Sequence, residues 1–108
     1  MVKEKIDNKV LTAAYAFVEE VKKYYNVDYA ILFGSFAKGS QHVDSDIDIA
    51  IVSNDIKNTF FDRIKMTQFT WDVDLRIEPH PILTDDFRQN ASPLVNEILK
   101  TGVQLYAT

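Results

Sequence analysis

The sequence predicts an α+β fold, because segments with a helical period alternate with segments that have a strand period. Apolar residues recur every three or four positions over residues 6–25, which places them on one face of a helix. Isoleucines alternate with Asp46, Asp48 and Ala50 over 46–53, which is the period of a strand. The full predicted order is helix, strand, strand, helix, strand, helix and a last short strand.

Length and composition limit the class of protein. The chain has 108 residues, 46% of them hydrophobic and 26% charged, which suits one soluble domain over residues 1–108. The absence of cysteine excludes disulfides and thiolate zinc sites. A net charge of −4 provides no broad basic surface for nucleic acid. With no signal peptide and no apolar run of membrane-spanning length, we expect a cytoplasmic protein that binds neither nucleic acid nor membrane directly.

The two strands that follow the first helix are predicted from their residue types. Residues 27–34 (VDYAILFG) are rich in β-branched and aromatic residues and end at glycine, which indicates a strand. The polar segment 35–45 predicts a turn and a loop, with space for one helical turn. In the strand 46–53, Asp46 and Asp48 face one side and three isoleucines face the other.

The next helix and strand have weaker boundaries. Asn58 or Thr59 can cap a helix that continues to about Gln68. Residues 71–78 (WDVDLRIE) alternate again and predict a strand, which the prolines of 78–81 would end because proline cannot continue a ladder. The apolar residues of this helix that we expect to be buried are Phe60, Phe61 and Ile64.

The C-terminal segment has clear start and stop signals. Thr84 can cap a short helical turn. Ser92 then precedes Pro93 at a first helical position, and Gly102 lies just past the predicted end of that helix. Residues 103–107 predict a last short strand.

Two carboxylates on one strand face, Asp46 and Asp48, are unexpected because aspartate is disfavoured in strands. Two anions this close repel each other unless a proton or a cation joins them. Magnesium prefers oxygen ligands of this kind, and two such ions about 4 Å apart can stabilise an in-line displacement at phosphorus. A third carboxylate on the polar face of 71–78 would complete the site. Asp74 is favoured because it lies deeper in the predicted strand, and Asp72 is the alternative.

The Gly-Ser pair at the end of the first strand fits the same chemistry. Gly34 permits a tight turn and the close approach of a phosphate. Ser35 offers a hydroxyl and can begin a short helix whose free N–H groups bind an anion. Lys38, one turn later, can add a positive charge. Taken singly, each feature is an ordinary turn or a hydrated strand face, but together they favour a phosphate and metal site.

Two other metal-binding interpretations are less well supported. Alternate aspartates over 44–48 resemble a calcium loop, but Ile49 stands where that loop requires glycine. The two histidines, His42 and His80, lie in predicted loops without further ligands. We therefore interpret both histidines as surface residues.

The spacing of these motifs resembles a known superfamily. A Gly-Ser pair at 34–35, ten further residues and Asp-x-Asp at 46–48 are similar to the motif of the DNA polymerase β-like nucleotidyltransferases. The stretch GSFAKGSQHVDSDIDIAIV and the short length resemble the minimal nucleotidyltransferases, the MntA-like antitoxins, over about residues 10–106. The resemblance implies a small mixed β-sheet packed against helices, as in the palm of polymerase β.

The resemblance also implies roles for the site residues. Gly34 and Ser35 would hold the triphosphate of the incoming nucleotide. Lys38 stands where the family often has arginine, and lysine keeps the charge but loses the bidentate fork. The residues implied as ligands of two Mg²⁺ ions are Asp46, Asp48 and Asp74.

The reaction implied is nucleotidyl transfer. An acceptor hydroxyl attacks the α-phosphate of ATP, and pyrophosphate leaves. One ion would lower the pKa of the hydroxyl and the other would neutralise the triphosphate, while Asp74 is the candidate for taking the proton. Arg76 shares the predicted face of Asp74, and it either pairs with a carboxylate or contacts the nucleotide.

The acceptor is expected to come from another chain. Larger relatives carry an extra helical domain for the acceptor, and 108 residues leave no room for one; a partner or another subunit of a homo-oligomer would supply it. In the MntA-like group, the partner is a HEPN-domain toxin that is silenced by AMP on a tyrosine. Two alternatives remain: a binding-only antitoxin that neutralises its partner by complex formation, and an enzyme that modifies a small hydroxylated molecule, which the short length disfavours.

Overall fold

A four-stranded mixed sheet forms the centre of the computed structural model, which describes residues 6–41 and 45–108. Its strands are β1 (Val27–Phe33), β2 (Ile47–Ser53), β3 (Ile77–Leu83) and β4 (Val103–Ala107). The strand order is β3-β2-β1-β4. β1 is antiparallel to both β2 and β4, whereas β2 and β3 are parallel. The predicted mixed sheet and α+β fold are confirmed.

Five helices cover the sheet, and their boundaries follow local capping signals. They are α1 (Asn8–Lys22), α2 (Ser35–Lys38), α3 (Thr59–Gln68), α4 (Thr84–Arg88) and α5 (Pro93–Thr101). The side chain of Asn58 accepts a hydrogen bond from the first turn of α3, and Ser92 does the same for α5. Within the described ranges, none of the helices has the length and apolar character that a membrane span requires.

The sheet buries both of its faces, because helices pack on each side. One core lies between the sheet and the helices α1 and α3, and contains Phe17, Met66 and the isoleucines of β2. A smaller core lies between the opposite face and the helices α4 and α5, and contains Phe87 and Ile98. Asp48 lies on the second face, just beyond the end of this smaller core.

The predicted strand at 71–78 is wrong. Residues 71–76 form turns, and β3 begins only at Ile77 and continues through both prolines. β3 is an edge strand. Pro79 and Pro81 are two residues apart, so the two missing N–H groups would both point to the same side of the strand. We infer that this side of β3 faces away from β2, where a missing backbone N–H interrupts no hydrogen bond between the strands.

The apolar face predicted for α3 is also wrong. Phe60, Phe61 and Ile64 are 67%, 66% and 46% exposed, and Met66 is the buried residue of this helix. In the turn that follows, Trp71 is exposed as well. The outer side of α3 is therefore an apolar surface.

A buried link holds the start of α3 against the end of α1. The Tyr25 hydroxyl donates a 2.7 Å hydrogen bond to Asp62, whose other oxygen accepts from the backbone N–H groups of Lys57 and Asn58. Partial burial raises the pKa of Asp62, but these hydrogen bonds outweigh it and leave the pKa below its ordinary value. The fixed start of α3 positions Arg63, the next residue.

Candidate active site

Two carboxylates from the parallel strands β2 and β3 lie side by side. Asp48 and Glu78 are register partners, and partners in a parallel ladder project from the same face of the sheet. Together with His80 they form a group whose oxygen and nitrogen atoms all lie within 4.8 Å of one another. All three side chains are partly exposed, so a ligand can reach them.

Each carboxylate of this pair has a different basic partner. The Nε2 atom of His80 is 3.0 Å from Oδ1 of Asp48 and 3.9 Å from Oε1 of Glu78. Arg63 of α3 donates a 2.6 Å hydrogen bond to the same Glu78 oxygen. The edge of the His80 ring packs against Phe33 with the ring centres 5.0 Å apart. These contacts offset the repulsion between the two acids.

Gly34 lies directly against the carboxylate of Asp48. Its φ of +79° and ψ of −153° fall in a region that is essentially restricted to glycine. A Cβ atom at this position would be 2.5 Å from Oδ2 of Asp48. The predicted neighbourhood of the glycine turn and the Asp-x-Asp strand is therefore present.

The other predicted site residues of the first half lie around this centre. Asp46 is exposed, just before β2, and does not belong to the close group. Ser35 begins α2, where the first N–H groups have no helical acceptor. The Lys38 ammonium forms a 3.1 Å ion pair with Glu97 of α5, and both side chains are 44% exposed.

Asp74 does not belong to the close group of Asp48, Glu78 and His80. It lies in the turn before β3, where its carboxylate accepts from the Arg76 backbone N–H and from two guanidinium nitrogens of Arg76, at 2.8–3.1 Å. The Arg76 side chain holds the pKa of Asp74 below its ordinary value. Of the two roles expected for Arg76, the structure therefore shows the pairing with a carboxylate. Asp72 is exposed in the same turn.

Sequence reasoning missed Glu78, His80 and Arg63. The available signal was the apolar-acid-apolar triplet at 77–79, which has the same form as the triplet around Asp74. Its prolines suggested the end of a strand instead. His80 lies in β3 and not in a surface loop, while His42 lies outside the described residues.

Comparison with known proteins identifies the family. The model of the family "Polymerase beta, Nucleotidyltransferase" matches residues 16–108. The chain belongs to this nucleotidyltransferase family. None of the curated proteins matches the chain.

Solved structures with the same fold include a nucleotidyltransferase and several toxin-antitoxin complexes. A protein from Sulfolobus solfataricus assigned as a nucleotidyltransferase is 26% identical, with a TM-score of 0.67, over 92% of this chain and 81% of its own. A toxin-antitoxin complex with AMP-PNP contains a chain that is 25% identical, with a TM-score of 0.62, over 94% and 73%. The MNT antitoxin in complex with the tri-AMPylated HEPN toxin of Shewanella oneidensis shares the fold at 19% identity, with a TM-score of 0.63, over 92% and 73%.

The contact between Gly34 and Asp48 predicts that substitutions at the two positions have non-additive effects on the free energy of unfolding. Gly34→Ala forces a Cβ into the Asp48 carboxylate, and Asp48→Ala removes the atom it meets. We expect Gly34→Ala to destabilise the protein by about 2 kcal/mol or more, with about 1–2 kcal/mol of this disappearing in the Asp48→Ala background. Urea denaturation of the four proteins in the presence of a chelator measures the cycle.

Gly39→Ala is the matched control, because Gly39 also has a positive φ, of +76°, at the end of α2. Gly39→Ala should lower the free energy of unfolding by about 1 kcal/mol, and by the same amount in the parent and in the Asp48→Ala background. Equal coupling of both glycines to Asp48 would contradict the contact at Gly34.

Proposed function

We propose that this nucleotidyltransferase transfers AMP from ATP to a hydroxyl acceptor, with Asp46, Asp48 and Glu78 as the ligands of two Mg²⁺ ions. Glu78 takes the place that the sequence analysis gave to Asp74. The observation that carries this proposal is the register pairing of Asp48 with Glu78, directly beside Gly34. The described residues provide no second cluster of this kind.

The residues present fit a divalent cation. Carboxylate oxygens are the ligands that Mg²⁺ prefers, together with water and substrate phosphates. Arg63, which now pairs with Glu78, has a half-exposed side chain and can yield its place to a cation. Bound there, the ions would stabilise the charge that develops on the attacking and leaving oxygens.

The chain's own groups would position the nucleotide and move the proton. Gly34 has no side chain to keep a triphosphate away from Asp48, and Ser35 adds a hydroxyl and free N–H groups at the start of α2. Lys38 can add positive charge when it leaves its exposed pair with Glu97. Glu78 is the candidate for accepting the proton of the attacking hydroxyl.

Substitution of the two candidate third carboxylates separates them. Glu78→Gln should lower AMP transfer by about 100-fold or more, because it removes a charge beside the reacting phosphate. Asp74→Asn should stay within about threefold of the parent, because it only breaks an exposed ion pair. Transfer is measured by mass spectrometry after incubation with ATP, Mg²⁺ and the HEPN protein encoded beside this chain. The opposite ranking of the two variants would restore Asp74 as the ligand.

We further propose that the acceptor hydroxyl belongs to a HEPN-domain toxin and that AMP on a tyrosine silences it. The resemblance to MntA-like antitoxins supports this partner, and so do two structural neighbours, an MNT antitoxin in complex with a HEPN toxin and a toxin-antitoxin complex with AMP-PNP. The cytoplasmic location and a homo-oligomeric state stay predictions.

The apolar surface of α3 and the following turn is the surface we assign to this partner. Phe60, Ile64 and Trp71 line a groove together with Arg63, and the same Arg63 reaches Glu78 in the active site. Large exposed aromatic side chains and arginine are typical of protein interfaces. A protein bound in this groove would therefore contact Arg63, whose guanidinium is hydrogen-bonded to Glu78 of the carboxylate pair.

Binding of the HEPN protein tests this assignment without catalysis. Trp71→Ser and Ile64→Ser should each weaken binding by about tenfold or more, as expected for buried anchor residues. Leu99→Ser is the control, because Leu99 is 53% exposed on α5, on the other side of the sheet. Isothermal titration gives the affinities; equal effects at Leu99 and Trp71 would place the partner elsewhere.

A further inference from the structure

His80 is the one histidine among the described residues, and its Nε2 atom lies close to both carboxylates of the pair. His80 is two residues after Glu78 on β3, so both side chains project from the face that carries Asp48. Its side chain is only 18% exposed, and the ring is supported by the Phe33 edge contact. The ring is therefore held with Nε2 towards the carboxylates.

The ligand atoms lie within 4.8 Å of one another, and one separation already equals that of neighbouring ligands around one cation. In an octahedral site with bonds of about 2.1 Å, neighbouring ligand atoms are about 3 Å apart. Nε2 of His80 is 3.0 Å from Asp48 Oδ1 and 3.9 Å from Glu78 Oε1. Glu78 Oε1 is held by Arg63 at 2.6 Å, and the Glu78 side chain would have to turn from Arg63 towards Nε2 to complete such a site.

We propose that Nε2 of His80 is a direct ligand of a divalent cation held by Asp48 and Glu78, and that this nitrogen makes the site select Mn²⁺ over Mg²⁺. The inference rests on the proposed function only for the presence of a cation at these carboxylates. Imidazole is a good ligand for first-row transition ions, whereas Mg²⁺ binds oxygen almost exclusively. On binding, the Nε2 proton that is shared with Asp48 is released to solvent, the freed lone pair of Nε2 forms the metal–nitrogen bond, and the neutral ring then carries its proton on Nδ1.

The test observes the nitrogen directly. Protein labelled with ¹⁵N-histidine is loaded with Mn²⁺, and pulsed electron paramagnetic resonance reports whether a histidine nitrogen is bonded to the ion. We expect the ¹⁵N coupling in the parent and in His42→Gln, which changes the only other histidine, and its loss in His80→Gln. Competition titrations should show Mn²⁺ binding weakened by about 10–100-fold in His80→Gln and Mg²⁺ binding by less than about threefold.

The outcomes distinguish this inference from the proposed function. Mn²⁺ bound without histidine coupling, or equal loss of both ions in His80→Gln, would overturn the inference and make His80 a group that only orients Asp48. AMP transfer could still occur in that case. If the histidine ¹⁵N coupling to Mn²⁺ is present but the protein transfers no AMP, the result would support the inference and contradict the proposed function. A failure of Mn²⁺ to bind the parent protein would overturn the inference as well.

Discussion

The parallel pairing of β2 with β3 is the constraint on which the site depends. It brings Asp48 and Glu78 into register, and adjacent strands are only about 4.8 Å apart. Two carboxylates at this separation repel each other in a partly dehydrated place. The fold tolerates them because His80 and Arg63 each contact one of the pair. A cation bound between the two carboxylates would satisfy the same electrostatic requirement.

The two-sided burial of the sheet keeps this pair in position. Isoleucines of β2 are fully buried against α1 and α3, and Ala50 and Val52 are buried on the other face. A shift of β2 by one residue would turn these side chains to the wrong faces. The apolar core thus fixes the register that places Asp48 beside Glu78, and the lack of a side chain at Gly34 lets the turn after β1 lie against Asp48.

The elements that the sequence predicted well are those with strong local signals. The caps at Asn58 and Ser92, the alternation over 46–53 and the glycine after β1 all gave the right elements, and the Gly-Ser and Asp-x-Asp motifs gave the family. These features depend on hydrogen bonds and side-chain periods within a few residues. A local pattern is sufficient to recognise them.

The residues that β3 contributes to the candidate site could not be predicted from local patterns. Whether β3 tolerates Pro79 and Pro81 depends on its place at the edge of the sheet, which is a property of the whole fold. The alternation over 71–76 was misleading because Trp71 and Leu75 are exposed on turns. Because the sequence predicts the strand over 71–78, it favours Asp74 in the middle of that strand, places Glu78 at its last position and leaves His80 in a loop.

The most direct measurement is the position of the cation. A crystal of the chain grown with Mn²⁺ and a non-hydrolysable ATP analogue, measured at the manganese absorption edge, gives an anomalous peak for each ion. We predict a peak within bonding distance of both Asp48 and Glu78, beside the turn at Gly34. A peak coordinated by Asp74 in place of Glu78, or none near Asp48 while the nucleotide is bound, would contradict this account.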